Sequence, residues 1–245
     1  MGKKRKKKTV SLSGKPLVSV CTPTYNRRKF IPYCIQCFKD QTYPMELIEW
    51  IVIDDGEDCV EDLFKDIKNV KYFRLEEKMK LGKKRNFMHT KCKGDIIIYM
   101  DDDYYPPDRI KHAVHKLTST KLALVAGSSI CYIYFKDRKQ VFKFGPYGPY
   151  HATAGTFAFK KELLQITKYD DDAELAEERK FLKNFTIPMV QLNPEKTILV
   201  FSHDDNTFDK NQLLEKPDPS HITPLHLKPK NIIKNKMLLD FYTSV

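Results

Sequence analysis

The positions of hydrophobic and polar residues divide the first 110 residues into short apolar runs that alternate with amphipathic stretches. The apolar runs predict strands at residues 17–21, 47–53, 70–75 and 95–100, and helical periodicity predicts helices at residues 29–40, 60–67 and 82–91. Such an alternation is typical of a parallel sheet with helices on both faces. Because crossovers between parallel strands are right-handed, few topologies remain open.

The pattern is less regular beyond residue 110. It predicts strands at residues 122–135, 140–144, 151–159 and 197–202, and helices at residues 161–166, 174–184 and 231–242. Residues 216–229 are rich in proline, and we expect them to form a loop that wraps the molecule.

Polar residues follow three of the predicted strands at the points where the strands end. Residues 22–27 (Thr-Pro-Thr-Tyr-Asn-Arg) follow the first strand, residues 54–56 (Asp-Asp-Gly) the second, and residues 101–103 (Asp-Asp-Asp) the fourth. The carboxyl ends of parallel strands share one edge of a sheet, and ligands bind at that edge. We therefore expect these three segments to meet at one site.

The three consecutive aspartates indicate a metal site. Neighbouring carboxylates repel one another unless a cation lies among them, and carboxylate oxygens suit magnesium or manganese. A solvated acidic turn or a helix N-cap explains the triplet by itself equally well. Its position after a buried strand, opposite two other polar strand ends, favours the metal.

The charge of the chain is strongly basic, with 43 Lys and Arg against 32 Asp and Glu and a formal net charge of +11. Six of the positive charges lie in residues 3–8, so the rest of the chain carries +5. We interpret the run as a solvated tail, although a nuclear-localisation, nucleic-acid or anionic-membrane patch has the same composition. The remaining excess suits an anionic ligand such as a nucleotide.

Composition excludes several classes of protein. Hydrophobic residues make up 41% and charged residues 31%, which is typical of a globular and not a disordered chain. We expect no transmembrane helix, because no run of 18 apolar residues occurs, and no secretory signal, because no apolar segment follows the basic run. Cys34 and Cys37 form a CxxC without a second pair at zinc spacing, so we interpret the six cysteines as core thiols in a reducing, cytoplasmic compartment.

Four ordered segments resemble a family 2 glycosyltransferase of the GT-A fold: residues 18–27, 51–56, 83–86 and 99–103. The likeness covers residues 17–110 and continues more loosely to about residue 209. Four motifs in order are far more specific than one Asp-x-Asp. The resemblance implies an α/β, Rossmann-like GT-A sandwich with a mainly parallel central sheet, a nucleotide-sugar donor, and manganese or magnesium as cofactor.

The resemblance also implies roles for individual residues. Its nucleotide-sugar-binding positions match Thr22, Pro23, Tyr25, Arg27, Asp55, Lys84, Arg85, Asp101 and Asp102. Its metal ligands match Asp103, Asp101 and His203, and its small residues beneath the acceptor match Gly155 and Thr156. Each residue taken alone has a plain structural explanation as a turn, a strand terminator, a core histidine or a charged helix face. Only their joint order favours the functional interpretation.

An acidic pair at a helix start supplies the catalytic base in this family, and here it matches Glu177 and Glu178. The second position, normally aspartate, is Glu178, and the resemblance places the base there and implies inversion. An ordinary charged helix start is the alternative.

Asp170–Asp172 follows no apolar strand and suits a loop or cap. Residues 147–150 are rich in tyrosine and proline, and their side chains would either stack on a sugar or pack in the hydrophobic core.

The resemblance thus implies transfer of a sugar from a nucleotide sugar to an acceptor hydroxyl on a glycan and, by analogy with the family, a donor that is UDP-linked rather than GDP- or dTDP-linked. We assign residues 1–15 to the basic tail and residues 16–245 to one domain, with residues 16–110 for the donor, 111–215 for the acceptor and 216–245 as a closing loop and helix. Peripheral contact of the tail with an anionic membrane remains open, and no specific nucleic acid is expected.

Two other interpretations remain. A nucleotidyltransferase acting on sugar phosphates would normally show a glycine-rich phosphate loop, and this chain has only nine glycines. A basic nucleic-acid-binding module would bind with strong salt dependence, but it gives no reason for the ordered carboxylates.

Overall fold

The structure is a computed structural model that describes residues 14–215 and 217–245. The basic run at residues 3–8, and most of the predicted tail, therefore lie outside the described residues. Within the described residues, no helix is both long enough and apolar enough to cross a membrane.

The first half confirms the alternation of strands and helices. Its elements are β1 (Val18–Thr24), α1 (Ile31–Lys39), β2 (Ile48–Asp54), β3 (Val70–Arg74), α2 (Leu81–Lys91) and β4 (Ile96–Tyr99). All seven residues of β2 are buried, as an interior parallel strand covered on both faces requires. The predicted helix at residues 60–67 is only a 3₁₀ turn, Glu61–Phe64.

The second half contains shorter elements. They are α3 (Arg109–Thr118), β5 (Val125–Gly127), β6 (Cys131–Phe135), β7 (Gln140–Phe144), β8 (Ala158–Lys160), α4 (Glu178–Phe181), β9 (Met189–Gln191), β10 (Leu199–Ser202), β11 (Ile222–Leu225), α5 (Pro229–Ile232) and α6 (Lys236–Ser244). Helix α6 begins after Asn235, whose side chain accepts the N–H groups of Met237 and Leu238.

Several predicted elements of this half are wrong. The strand at residues 122–135 is two strands, because β5 and β6 belong to different sheets. The strand at residues 151–159 is mostly irregular and contains the 3₁₀ turn Ala154–Thr156. The predicted helix at residues 161–166 is the 3₁₀ turn Lys161–Gln165, and the helix at residues 174–184 shrinks to the four residues of α4.

The predicted wrapping loop at residues 216–229 is also wrong. It contains β11, which pairs antiparallel with β7. The pattern predicted neither α3 nor β9.

The strands form two sheets. The larger one has the order β3-β2-β1-β4-β8-β5-β9, and within the described residues β8 alone runs antiparallel to its neighbours. Alternate residues of β4 enter different hydrophobic clusters: Ile98 lies in the cluster of α1 and α3, and Ile97 in the cluster of α2 and α4. The predicted α/β fold with a mainly parallel sheet and helices on both faces is therefore confirmed. The smaller sheet has the order β10-β6-β7-β11.

Candidate active site

The carboxyl ends of β1 and β4 open into a pocket of about 460 Å³, which we call the donor pocket. Its volume lies within the range of small-molecule sites. Its lining includes five cationic side chains, namely Arg27, Lys78, Lys80, Lys84 and Arg85. Three acidic side chains, Asp101, Asp102 and Glu174, also line it. Pro23, Thr24 and Tyr25 come from the end of β1, so two of the three predicted strand ends, those of β1 and β4, meet here. The third segment, residues 54–56, does not line the pocket and reaches it only through the ion pair of Asp55 with Lys84.

Asp55 holds Lys84 in place beside the donor pocket. Both side chains are buried and form an ion pair, and the second Asp55 carboxylate oxygen accepts the Met79 N–H at 2.8 Å. Burial lowers the pKa of Lys84, and Asp55 opposes that effect. Both oxygens of Asp55 therefore have partners within the protein.

Asp54 has a structural role. Its carboxylate accepts the N–H of Gly56 at 2.9 Å and the N–H of Val60 at 3.2 Å, and it lies 3.2 Å from the Arg74 guanidinium. These contacts make residues 54–56 an ordinary hydrogen-bonded turn around Asp54, with Asp55 the member that faces the donor side.

Arg85 joins the two acidic motifs of the sequence. Its Nε donates to Glu177 at 2.8 Å, its second terminal nitrogen lies 3.3 Å from Asp101, and its guanidinium lies 4.3 Å from the centre of the Tyr99 ring. Burial by itself lowers the pKa of Arg85, but the carboxylates of Asp101 and Glu177 outweigh burial and raise it. This buried cation stays charged and fixes the distance between Asp101 and Glu177.

The three consecutive aspartates have different surroundings. Asp102 is paired with Arg27 at 2.5 Å, and Asp103 accepts the Phe201 N–H at 3.1 Å, outside the lining of the donor pocket. Asp101 lines the pocket, and its Oδ1 is buried without a hydrogen-bond partner. Burial raises the pKa of Asp101, against the effect of Arg85, and raises the pKa of Asp103 to about 7.

The donor set fits a divalent cation that takes most of its ligands from elsewhere. Within residues 14–215 and 217–245, no group of three or more His, Cys, Asp or Glu side chains is arranged to hold a metal. The unpartnered oxygen of Asp101 is suited to one metal bond. Magnesium and manganese commonly keep waters and substrate phosphates as their other ligands, so a single carboxylate facing an anion-binding pocket is sufficient.

His203 lies apart from the donor pocket. Its ring packs 4.8 Å from that of Phe30, its Nε2 is 2.9 Å from the Asn206 amide, and it lines a separate cavity of about 290 Å³. Burial lowers the pKa of His203 to about 4, so the ring is neutral at physiological pH. His203 is not in the lining of the donor pocket, but the charges that act on its ring include Asp102 and Arg27, which are.

Three other predicted residues lie beneath or beside the donor pocket. The Thr22 hydroxyl donates to the Met100 carbonyl and accepts the Trp50 Nε1–H at 2.8 Å, so its side chain supports β1 from within the core. A Cβ built on Gly155 would lie 4.0 Å from Asp101 Oδ2. Thr156 is buried, and its hydroxyl accepts the Ser128 N–H at 3.1 Å.

The acidic pair at the start of α4 is split between core and surface. Glu177 is buried against Arg85, whereas Glu178 is half-buried. Burial, followed by the neighbouring charge of Glu177, raises the pKa of Glu178 to about 7. A carboxylate with that pKa is a competent proton acceptor near neutral pH. In the surface segment 170–172, Asp170 and Asp172 form ion pairs with Lys180 and Lys80, and Asp171 accepts the Asn86 amide at 2.7 Å.

Two supporting residues escaped the sequence reasoning. The Tyr105 hydroxyl accepts the Asp101 N–H at 3.0 Å and donates to the Gly155 carbonyl at 3.1 Å. Arg109 is fully buried and donates to the carbonyls of Thr156 and Phe157 at 2.8 and 2.7 Å. Their partners are backbone atoms some 50 residues away, and no local pattern in the sequence signals such contacts.

Comparison with known proteins defines the class of this molecule. The model of glycosyl transferase family 2 matches residues 19–176. The chain therefore belongs to that family, and the predicted resemblance is confirmed. Family membership favours a glycosyltransferase over the nucleotidyltransferase and nucleic-acid-binding interpretations.

The chain is similar to several named glycosyltransferases. It is 27% identical over 119 residues to glycosyltransferase AglE of Haloferax volcanii, covering 46% of this chain and 39% of AglE. It is 31% identical over 106 residues to the putative teichuronic acid biosynthesis glycosyltransferase TuaG of Bacillus subtilis, covering 40% of each. The matches thus span less than half the length of these relatives.

Solved structures confirm the fold. The mannosyltransferase PcManGT of Pyrobaculum calidifontis, solved with GDP-Man and Mn²⁺, superposes with a TM-score of 0.63 at 17% identity over 79% of this chain and 59% of that one. TarS residues 1–349 of Staphylococcus aureus, in complex with UDP-GlcNAc, superpose with a TM-score of 0.57 at 18% identity over 77% of this chain and 59% of that one.

Proposed function

We propose that this glycosyltransferase is metal-dependent and inverting, and that it moves a sugar from a UDP-sugar to an acceptor hydroxyl on a glycan. The observation that carries the proposal is the donor pocket, where five cationic side chains and Asp101 line the same space. A nucleoside diphosphate carries the negative charge that such a lining suits.

The cationic side chains would bind the diphosphate. Lys84 is oriented by Asp55, and Arg27 by Asp102, so these cations are fixed before a ligand arrives. The Tyr25 ring, with the Lys78 ammonium 4.2 Å from its centre, lies at the end of β1 and offers a flat surface for the nucleoside base. Pro23 and Thr24 would complete that side of the pocket.

The metal would be held by Asp101, which lines the donor pocket. The resemblance implies Asp103 as the most direct ligand and His203 as a further one, and neither is in that lining. When bound, a divalent cation supplies charge that stabilises a leaving diphosphate. The protein contributes the fixed position of Asp101, whose N–H is held by Tyr105 and whose second oxygen is held by Arg85.

Glu178 would accept the proton of the acceptor hydroxyl. Its raised pKa, about 7, matches proton transfer at neutral pH. Glu177 would position it indirectly, because the ion pair with Arg85 fixes the start of α4 relative to Asp101. A base that activates the acceptor directly implies one displacement and inversion at the anomeric carbon, and it needs no carboxylate nucleophile.

We further propose a cytoplasmic location, with residues 16–110 as the donor half and 111–215 as the acceptor half of one domain. The six free cysteines fit a reducing compartment.

The test is calorimetric titration of the protein with UDP, GDP and dTDP, in manganese and in excess chelator. We expect UDP to bind in manganese and not in chelator, because carboxylates and a diphosphate repel without a bridging cation. Asp101→Asn should abolish this binding. Asp108→Asn is the matched control, since Asp108 lies outside the donor pocket. UDP binding that survives chelation would refute the metal, and tighter GDP binding would refute the donor.

A further inference from the structure

A second pocket, of about 410 Å³, lies at the same edge of the large sheet as the donor pocket. Its lining includes Ser128 and Ser129, which follow β5, and Leu192, which follows β9. Strand β5 runs parallel to β4, because each of them is antiparallel to β8. The carboxyl ends of β4 and β5 therefore point the same way.

The turn at Gly155 and Thr156 separates the two pockets. On one side, the Thr156 hydroxyl accepts the N–H of Ser128, which lines the second pocket. On the other, a Cβ built on Gly155 would come within 4.0 Å of the Asp101 carboxylate. The two pockets therefore lie on either side of one short turn.

Four rings form a row beside the second pocket, which we call the aromatic row: Phe185, His151, Tyr147 and His221. Neighbouring ring centres are 4.7, 5.0 and 5.0 Å apart along this order. Tyr147, between two residues of the pocket lining, is 45% exposed. His151 and His221 each keep a buried Nδ1 without a hydrogen-bond partner. The row offers ring surface at Tyr147.

The loop that carries Tyr147 is fixed before any ligand binds. The Gly145 N–H donates to the His221 carbonyl at 2.7 Å, and the Tyr147 N–H donates to the Ser129 hydroxyl at 3.1 Å. Gly145 has a φ of 92°, and a Cβ there would lie 2.1 Å from the Ser129 carbonyl oxygen, so glycine is required. A surface that is ordered in advance loses less entropy on binding.

Backbone strain accompanies the position of Phe185, the first ring of the row. Lys183, Asn184 and Phe185 follow α4 with φ values of 50°, 55° and 61°, a left-handed conformation that is costly for residues with a Cβ. The consequence is that the Phe185 ring lies 4.7 Å from that of His151. The element that begins with Glu178 is thereby connected to the aromatic row.

The two pockets differ in charge. None of the residues that line the second pocket carries a charged side chain, whereas five cations line the donor pocket. Burial also lowers the pKa of His151, which keeps that ring neutral at neutral pH. The second pocket is therefore suited to an uncharged ligand.

We propose that the second pocket and the aromatic row bind the acceptor, and that the acceptor presents a neutral pyranose. Pyranose rings have an apolar C–H face that packs on aromatic side chains, and they have hydroxyls that can bond to the Ser129 hydroxyl in the pocket lining. This assignment rests on the proposed function, because it names the acceptor class of that reaction.

Saturation-transfer NMR tests the assignment on the full chain with UDP and magnesium. The probes are the methyl glycosides of glucose, galactose, mannose and N-acetylglucosamine, with ribitol phosphate as an anionic, acyclic comparison. At least one pyranoside should give signals concentrated on the protons of one ring face. Tyr147→Ala and His151→Ala should weaken its binding by roughly three- to tenfold, and Tyr147→Leu, which keeps apolar bulk, should do the same.

Tyr150→Ala is the matched control. Tyr150 lies in the same loop and is 39% exposed, but it forms no ring pair within the described residues, so this variant should bind like the wild type. The assignment would be overturned if none of the four pyranosides gave a saturation-transfer signal or if ribitol phosphate bound more tightly than they do. It would also be overturned if the Tyr147 and His151 variants bound the pyranoside with wild-type affinity.

Calorimetry of UDP with the same samples separates the two proposals. If UDP binds and no pyranoside does, the acceptor assignment alone fails. If UDP does not bind, the proposed donor fails. The pyranoside spectra of the protein without nucleotide then test, by the same criteria, whether the aromatic row binds a pyranose.

Discussion

Glu177 and Glu178 are adjacent in the chain, yet their carboxylates have different surroundings. Glu177 is locked to Arg85 in the core, and Glu178 is half-buried with a pKa of about 7. We expect Glu178→Gln to lower turnover by roughly 10²–10⁴-fold, because it removes the proton acceptor, and to leave UDP affinity unchanged. Initial rates and calorimetry measure the two effects. Glu174→Gln, which removes the charge of a residue in the lining of the donor pocket, is the control. An inactive Glu174→Gln variant would assign the catalytic base to Glu174.

Glu177→Gln should behave differently. The variant leaves the buried guanidinium of Arg85 with one carboxylate in place of two, and breaking a buried ion pair costs about 3–5 kcal/mol when nothing replaces it. The amide still offers an acceptor oxygen, so we expect a smaller loss in the free energy of unfolding, measured in urea, with much of the turnover retained. A variant of wild-type stability would show that Asp101 alone satisfies Arg85.

The pKa of Glu178 also predicts how stability depends on pH. Its folded-state value of about 7 lies above the ordinary value of 4.5, so the folded chain binds more protons than the unfolded chain between these values. The stabilising contribution of this group is complete below pH 4.5 and is lost as pH rises through 7. Urea unfolding at pH 5 and pH 8 should show a larger fall for the wild type than for Glu178→Gln. Equal falls would contradict the shift.

At the scale of elements, α6 supports the loop that carries the aspartates. The buried Tyr242 hydroxyl donates to the Asp103 carbonyl at 3.0 Å and lies 3.4 Å from the Asp102 carbonyl. Tyr242→Phe should lower the free energy of unfolding by about 0.5–1.5 kcal/mol and weaken UDP binding in manganese, because the loop is less firmly held.

Thermal unfolding and calorimetry measure both consequences of Tyr242→Phe. Tyr132→Phe is the matched control, since it removes a hydroxyl that makes no such contact to the aspartate loop. If the two variants lose the same stability and bind UDP equally, α6 has no part in holding the site.

The elements that the sequence predicted well are those with a strong local signal. Strands such as β2 are covered on both faces, which produces uninterrupted apolar runs. Strands β5, β8 and β9 have three residues each, too few for a period. Strand β11 was missed because Pro224 argues against a strand, yet β11 lies at the edge of its sheet, where a missing N–H is tolerated.

At the scale of the whole molecule, the site was predictable where topology alone brings residues together. Tyr25, Arg27 and Asp101 follow strands that must end at one edge, so order along the chain was sufficient. Tyr105 and Arg109 act on carbonyls near residue 155, and that proximity depends on β8 pairing with β4. Pairing between short strands far apart in sequence has no local signature.

The net charge of the whole chain gives a further prediction. Six of its +11 charges lie in residues 3–8, outside the described residues. Deletion of residues 1–10 should leave turnover on a free acceptor unchanged and weaken binding to phosphatidylserine vesicles, by about 1 kcal/mol for each basic residue near the surface. Cosedimentation at low and high salt measures the binding to vesicles, and phosphatidylcholine vesicles are the control. A large loss of turnover would place the tail in the active site.

The bridge from Arg85 to Glu177 has a consequence for synthesis of the chain. Arg85 is made 92 residues before Glu177, which corresponds to about 5–18 s at roughly 5–20 residues per second. During that delay the Arg85 guanidinium has only Asp101 as a carboxylate partner. Strand β8, which pairs with β4, is made late in the same interval. The first 110 residues therefore cannot reach their final packing before residue 177 has been made, because Arg85 lacks its Glu177 partner until then.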